Sequence, residues 1–279
     1  MIDLSPAGSL PRLVIVPPDE VSAAAAEAIA TALANAIAAH GVAHWATTGG
    51  SAAPGIYRAL GSSPLRERVD WSRVHTWWGD DRFVPYDHPL SNVLPLTEVL
   101  LPALREAGIE VPAAQTHRWA IPEAIASGEG PAWTAGQYAT SLANHVPADA
   151  AGSPVLDLIL LGVGPDGHVL SVFPGSAAWD EASSCAAIPA PTHIEPHVER
   201  VTLHPRLLAA ARSVLVVAAG AGKAHNLGRA WTGDDLRELP VRATRLGTAT
   251  WILDEAAASE LPHGWSPTRT RPGGVATGG

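Results

Sequence analysis

The sequence predicts an α/β protein: an open, mainly parallel sheet flanked by helices. Three observations predict it. Short apolar runs alternate with longer Ala-rich stretches along most of the chain, and strands alternating with helices imply parallel pairing through crossovers. The run over residues 156–161 is almost continuously apolar, as suits a strand covered on both faces. Glycine clusters follow several of the apolar runs, and in such sheets ligands bind beyond the carboxyl ends of strands.

Each element has a local reason. Leu13-Val14-Ile15-Val16 reads as the first strand, ended by Pro17-Pro18. Asp19 is placed to cap a long Ala-rich helix over 21–40, and Gly41 follows where a C-terminal cap favours glycine. The second strand spans 42–47 and leads into Gly49-Gly50-Ser51; Pro54 suits the first turn of the next helix. A third strand spans 74–78 and ends at Gly79-Asp80-Asp81-Arg82. Helices are expected over 91–104 and 131–145, then strands at 156–161 and 200–203. A short helix over 207–211 precedes a strand at 213–218. Gly220-Ala221-Gly222 then opens a helix near Lys223, and a last strand covers 250–253. Residues 1–264 read as one domain, and 265–279, rich in Gly, Pro and Thr, as a disordered tail.

Composition excludes several classes. The 279 residues include one cysteine, Cys185, too few for a disulfide framework or a Cys-based zinc site. The formal charge is −9 with no basic run, which argues against nucleic acid or an anionic membrane as partner. The first residues lack the basic start and apolar stretch of a signal peptide, so a reducing cytoplasmic setting is expected. Of the 18 basic side chains 17 are Arg, which makes the one Lys, Lys223, easy to interrogate.

Four loops carry candidate chemistry. Thr47-Thr48-Gly49-Gly50-Ser51 could bring backbone N–H groups to an oxyanion, or be simply a tight turn. Asp80 and Arg82 could hold sugar hydroxyls and a carbonyl or phosphate; a surface ion pair explains them as well. Gly162-Val163-Gly164-Pro165-Asp166-Gly167-His168 contains a literal G-x-G-x-x-G. The dinucleotide reading fails because Pro174-Gly175 interrupts the helix it needs. The alternative is that the glycines expose His168 as a proton acceptor. Lys223 follows Gly220-Ala221-Gly222 at a helix start, where a cation is unfavourable unless an anion is bound. His193-Ile194-Glu195-Pro196-His197 is rejected as a metal site, since Pro196 prevents both imidazoles from sharing a helix face. Ser51 and Ser171 lack the nucleophile elbow of an acyl-enzyme. Trp77-Trp78 reads as half core and half pocket wall.

Together these loops resemble the 6-phosphogluconolactonase family, within the glucosamine-6-phosphate deaminase-like superfamily of modified Rossmann-type folds. The resemblance rests on Gly49-Gly50-Ser51 with Tyr57; Trp78-Gly79-Asp80-Asp81-Arg82 with Ser91-Asn92; the 161–168 segment continuing to Ser171, Phe173, Pro174 and Gly175; Arg200-Val201-Thr202; and Gly220-Ala221-Gly222-Lys223-Ala224. Departures are Ala52-Ala53 for the usual Thr-Pro, Asp81 for Glu, and Val169-Leu170 for Thr-Ala. The resemblance implies hydrolysis of 6-phospho-D-glucono-1,5-lactone in the oxidative pentose phosphate pathway, with no metal or organic cofactor. It implies His168 as base, positioned by Asp166, with Arg82 stabilising the carbonyl oxygen and Asp80 orienting hydroxyls or Arg82. Lys223, Arg200 and the amides of Gly49, Gly50 and Ser51 would hold the phosphate. The partner is then a small sugar-phosphate lactone, with no nucleic acid or membrane, and the chain a monomer or weak homodimer.

Two other readings compete. A deaminase or isomerase on the same fold carries a Glu just before the Pro-Gly that follows its His; here that position is Phe173. A non-catalytic sugar-phosphate sensor usually follows a helix-turn-helix, for which the first strand at 13–16 leaves no room.

Overall fold

The computed structural model describes residues 10–262. The chain forms strand β1 (Arg12–Val16), helix α1 (Val21–His40), β2 (Ala43–Thr47), α2 (Ala53–Leu60), β3 (Val74–Trp78) and β4 (Asp80–Arg82). Next come α3 (Val93–Pro95), a π-helical stretch (Leu96–Leu100), α4 (Leu101–Glu106), α5 (Ile121–Ser127) and α6 (Pro131–His145). The second half holds β5 (Leu158–Gly162), β6 (Cys185–Ile188), β7 (Arg200–Leu203), α7 (Arg206–Ala210), β8 (Val214–Ala218), α8 (Ala224–Arg229) and β9 (Ala249–Asp254). The 265–279 tail lies outside the described residues.

Six strands make one parallel sheet in the order β1-β9-β8-β5-β2-β3. The expected class is therefore the observed one. The order runs outward in opposite senses from β2 and β5, so the loops that follow those two strands diverge and leave a crevice between them. A second, antiparallel sheet in the order β4-β7-β6 stands beside it. The residues of β7 were expected as a strand, but not in a separate sheet. β6 went unrecognised because Cys185-Ala186-Ala187-Ile188 has little β-branched content.

Helix α1 is as long and apolar as a membrane-spanning helix, yet its buried residues Ala25, Ala26, Ile29, Ala30 and Leu33 belong to the core. Burying Ile29 and Leu33 contributes about 1.5–3 kcal/mol each. Asp19 does not cap it; Glu20 occupies that position and makes no side-chain cap bond. At the other end Gly41 has φ +85° and donates its N–H to the Ile37 carbonyl at 2.8 Å, the left-handed cap that glycine allows. Trp77 and Trp78 are both fully buried, so neither is a pocket wall.

Candidate active site

A cavity of about 410 Å³ opens at the carboxyl ends of the parallel strands. Loops after β2, β3, β5 and β8 and the segment before β7 surround it. Gly49, Gly50, Ser51, Asp80, Arg82, His168, Arg200 and Lys223 all line it. Asp166 stands immediately behind His168. Four loops far apart in sequence, and Arg200, thus meet at one place.

The β5 loop sets the position of His168. Asp166 Oδ1 lies 2.5 Å from His168 Nδ1 and accepts the His168 backbone N–H at 3.2 Å. With Nδ1 held by the carboxylate, Nε2 is the nitrogen left for a ligand. The loop closes on itself: Gly164 donates to the His168 carbonyl at 2.9 Å and Gly167 to the Gly164 carbonyl at 3.0 Å. A Cβ at Gly164 would sit 2.0 Å from His168 Nδ1, so only glycine lets the imidazole fold back over the backbone. Gly167 has φ +84°, open to glycine at little cost. No helix follows in residues 163–176, in keeping with rejection of the dinucleotide fingerprint. Burial raises the Asp166 carboxyl, but hydrogen bonds from His168 and His193 outweigh it and hold it well below the usual carboxylate range.

The β3 loop divides its two acids. Asp81 is fully buried and accepts the N–H groups of Arg82 (2.8 Å) and Asn92 (2.7 Å) and the Ser91 hydroxyl (3.1 Å). Burial pushes its carboxyl up to about 7, against those hydrogen bonds. Asp81 builds the loop, whereas Asp80 faces the cavity and accepts the Ser171 hydroxyl at 2.5 Å. Arg82 donates to the Leu90 carbonyl at 2.7 Å, and its buried Nε has no partner among the described residues.

Positive charge collects on the other walls. Arg82 and Arg200 are register partners across β4 and β7. Arg200 is buried, donates to the Pro196 carbonyl at 3.1 Å and lies 5.1 Å above the Phe173 ring; burial lowers its affinity for its proton. Lys223 ends a 3₁₀ turn, Ala221–Lys223, immediately before α8. Its ammonium makes no hydrogen bond or ion pair among the described residues, and burial lowers its pKa while Asp166 raises it. Two guanidinium groups and one ammonium in a single cavity suit a dianion.

The sequence profile of glucosamine-6-phosphate isomerases/6-phosphogluconolactonase matches residues 17–252. The chain belongs to that family. A 6-phosphogluconolactonase of Streptomyces coelicolor is 36% identical over 265 residues, covering 92% of this chain and 97% of the relative. One from Synechocystis is 32% identical, covering 84% and 90%. The solved 6-phosphogluconolactonase of Trypanosoma brucei superposes with a TM-score of 0.77 at 28% identity, covering 91% of this chain and all of that one. A monomeric glucosamine-6-phosphate deaminase, 17% identical with a TM-score of 0.69, shares the fold.

Two residues beside the Asp166–His168 pair lie outside the expected set of site residues. Phe173 packs at 4.7 Å from the His168 ring, centroid to centroid. His193, set aside as a failed metal ligand, places Nε2 2.8 Å from Asp166 Oδ2. No spacing in the sequence could reveal it, since the contact joins a loop to another 27 residues away. Ser171 is spent on Asp80 and fully buried, so it offers no nucleophile.

Proposed function

We propose that the chain hydrolyses 6-phospho-D-glucono-1,5-lactone to 6-phospho-D-gluconate, the lactone-opening step of the oxidative pentose phosphate pathway, and that residues 1–264 act as one catalytic domain. The observation that carries the reading is the Asp166–His168 pair at 2.5 Å, facing a cavity whose other walls hold Arg82, Arg200 and Lys223. His168 Nε2 takes a proton from water as the water oxygen attacks the lactone carbonyl carbon. Arg82 stabilises charge on the carbonyl oxygen. The bond from that carbon to the ring oxygen then breaks, and the imidazolium returns its proton to the ring oxygen. Lys223, Arg200 and the amides of Gly49, Gly50 and Ser51 hold the phosphate, so that remote binding energy positions the carbonyl. Asp80, fixed through Ser171, orients sugar hydroxyls.

Phe173 weighs against deamination, because it supplies no proton relay where that chemistry uses a carboxylate. The test is lactone generated freshly from glucose 6-phosphate, with hydrolysis followed by proton release above the spontaneous rate. No acceleration over the blank would end the proposal; ammonia release from glucosamine 6-phosphate would replace it with the deaminase reading.

A further inference from the structure

The Asp166 carboxylate is shared. Oδ1 meets His168 Nδ1 at 2.5 Å and Oδ2 meets His193 Nε2 at 2.8 Å, so one acid bridges two imidazoles. His193 belongs to the segment between β6 and β7, which is braced on both sides of it. His197 Nδ1 lies 2.7 Å from the Pro191 carbonyl, and Arg200 donates to the Pro196 carbonyl at 3.1 Å. Phe173 completes the assembly: its ring stands edge-on to His193 at 5.5 Å, tilted against His168 at 4.7 Å, and under the Arg200 guanidinium at 5.1 Å. His168 and Asp166 are largely enclosed, with side chains 16% and 18% exposed, whereas His193 is 48% exposed.

We infer that His193 is a positioning residue for the base: by donating Nε2–H to Asp166 it fixes the carboxylate and divides its charge, and so sets the pH range in which His168 can accept a proton. The inference rests on the lactonase reading above and deepens it. A carboxylate with two donors cannot rotate about its terminal torsion without breaking one bond, so His168 is held in the tautomer that leaves Nε2 bare. The same division weakens the hold of Asp166 on an imidazolium at His168. Losing the His193 donor therefore concentrates the negative charge on His168, which keeps its proton to higher pH. The other charged groups around the pair are Arg200 and Lys223, both acting on Asp166, with Asp80, Arg82 and Glu195 on the cavity wall. All of these remain in a His193 variant.

The experiment compares His193→Phe and His193→Gln with wild type in the lactone assay across pH 5–8.5. Phe keeps a ring against Phe173 but has no donor; Gln restores an N–H. His193→Phe should lower kcat by roughly 3- to 30-fold with KM little changed, and move the acid limb of kcat/KM upward by about half a pH unit. His193→Gln should recover most of both effects. A wild-type profile in His193→Phe overturns the inference. So does equal impairment of the two variants with no movement of the acid limb, which would make His193 only a loop-packing residue. Inactive wild-type enzyme would instead overturn the lactonase reading itself.

Discussion

His168 is the residue on which the proposed chemistry turns, because among the described residues it alone combines a free ring nitrogen, a bonded carboxylate and a place in the cavity wall. His168→Ala should reduce kcat by roughly 10²–10⁴-fold, the usual worth of a general base; near-wild-type turnover would place the base elsewhere. Lys223 makes a different contribution. Its ammonium is partly desolvated and unpaired among the described residues, so it gains most from an anion. Lys223→Ala should raise KM for the phosphorylated lactone by roughly 10- to 100-fold, the worth of a charged hydrogen bond, and leave unphosphorylated gluconolactone almost unaffected. Equal losses on both substrates would remove Lys223 from the phosphate site. These two residues were readable in the sequence because their local context is odd: a His after Asp-Gly, and the one Lys at a glycine-rich turn. His193 was not readable, since its value lies only in where Asp166 happens to stand.

Loops between elements carry the site's precision. In the β5 loop, a Cβ at Gly164 would stand 2.0 Å from His168 Nδ1 and 2.7 Å from Asp166 Oδ1. Gly164→Ala must push the imidazole off its carboxylate. A misplacement of about 1 Å costs on the order of 10²-fold in rate, and overpacking costs about 1–3 kcal/mol of stability. Gly136→Ala, within α6 where nothing lies within 4 Å, is the control and should leave kcat/KM unchanged. Equal activity of the two variants would show that the loop yields freely. Most elements were legible from periodicity and breakers: α1 at Val21–His40 and α6 at Pro131–His145 fall where their apolar patterns and prolines place them. The three-stranded antiparallel sheet was not, because Asp80–Arg82 reads as a polar loop and gains strand geometry only by pairing with β7. That pairing is also what sets Arg82 beside Arg200, so tertiary context decides part of the site.

At the scale of the whole molecule, the sheet separates two histidine groups. One, His168 and His193 on either side of Asp166, lies at the carboxyl ends of the strands. A second gathers toward the opposite end, where His44 in β2 and His75 in β3 approach at 4.7 Å between ring centroids. His75 bonds His117 ring to ring at 2.9 Å, His117 stacks on Trp77 at 3.8 Å, and His145 lies 4.8 Å from His117. Asp157 adjoins them, binding the His44 backbone N–H, His40 and Arg212. Burial, reinforced by repulsion from neighbouring imidazoles, lowers His44 and His117 to about 4 and about 3, and lowers His75 as well. The folded protein thus holds these rings neutral in a range where the unfolded chain takes up protons, near pH 6.5. Stability linked to them is fully present above that value and is lost as pH falls from 6.5 toward 4. His44 alone can contribute a slope of at most about 1.4 kcal/mol per pH unit in that window. Asp81, its carboxyl raised to about 7 by burial, works in the opposite sense over the same window and offsets one of the three imidazoles. Urea midpoints measured from pH 8 to pH 4.5 should therefore still decline below 6.5, with the slope that the remaining rings leave. A flat series would mean that the cluster accepts protons without leaving its packed arrangement, and so that its rings are less desolvated than their burial implies.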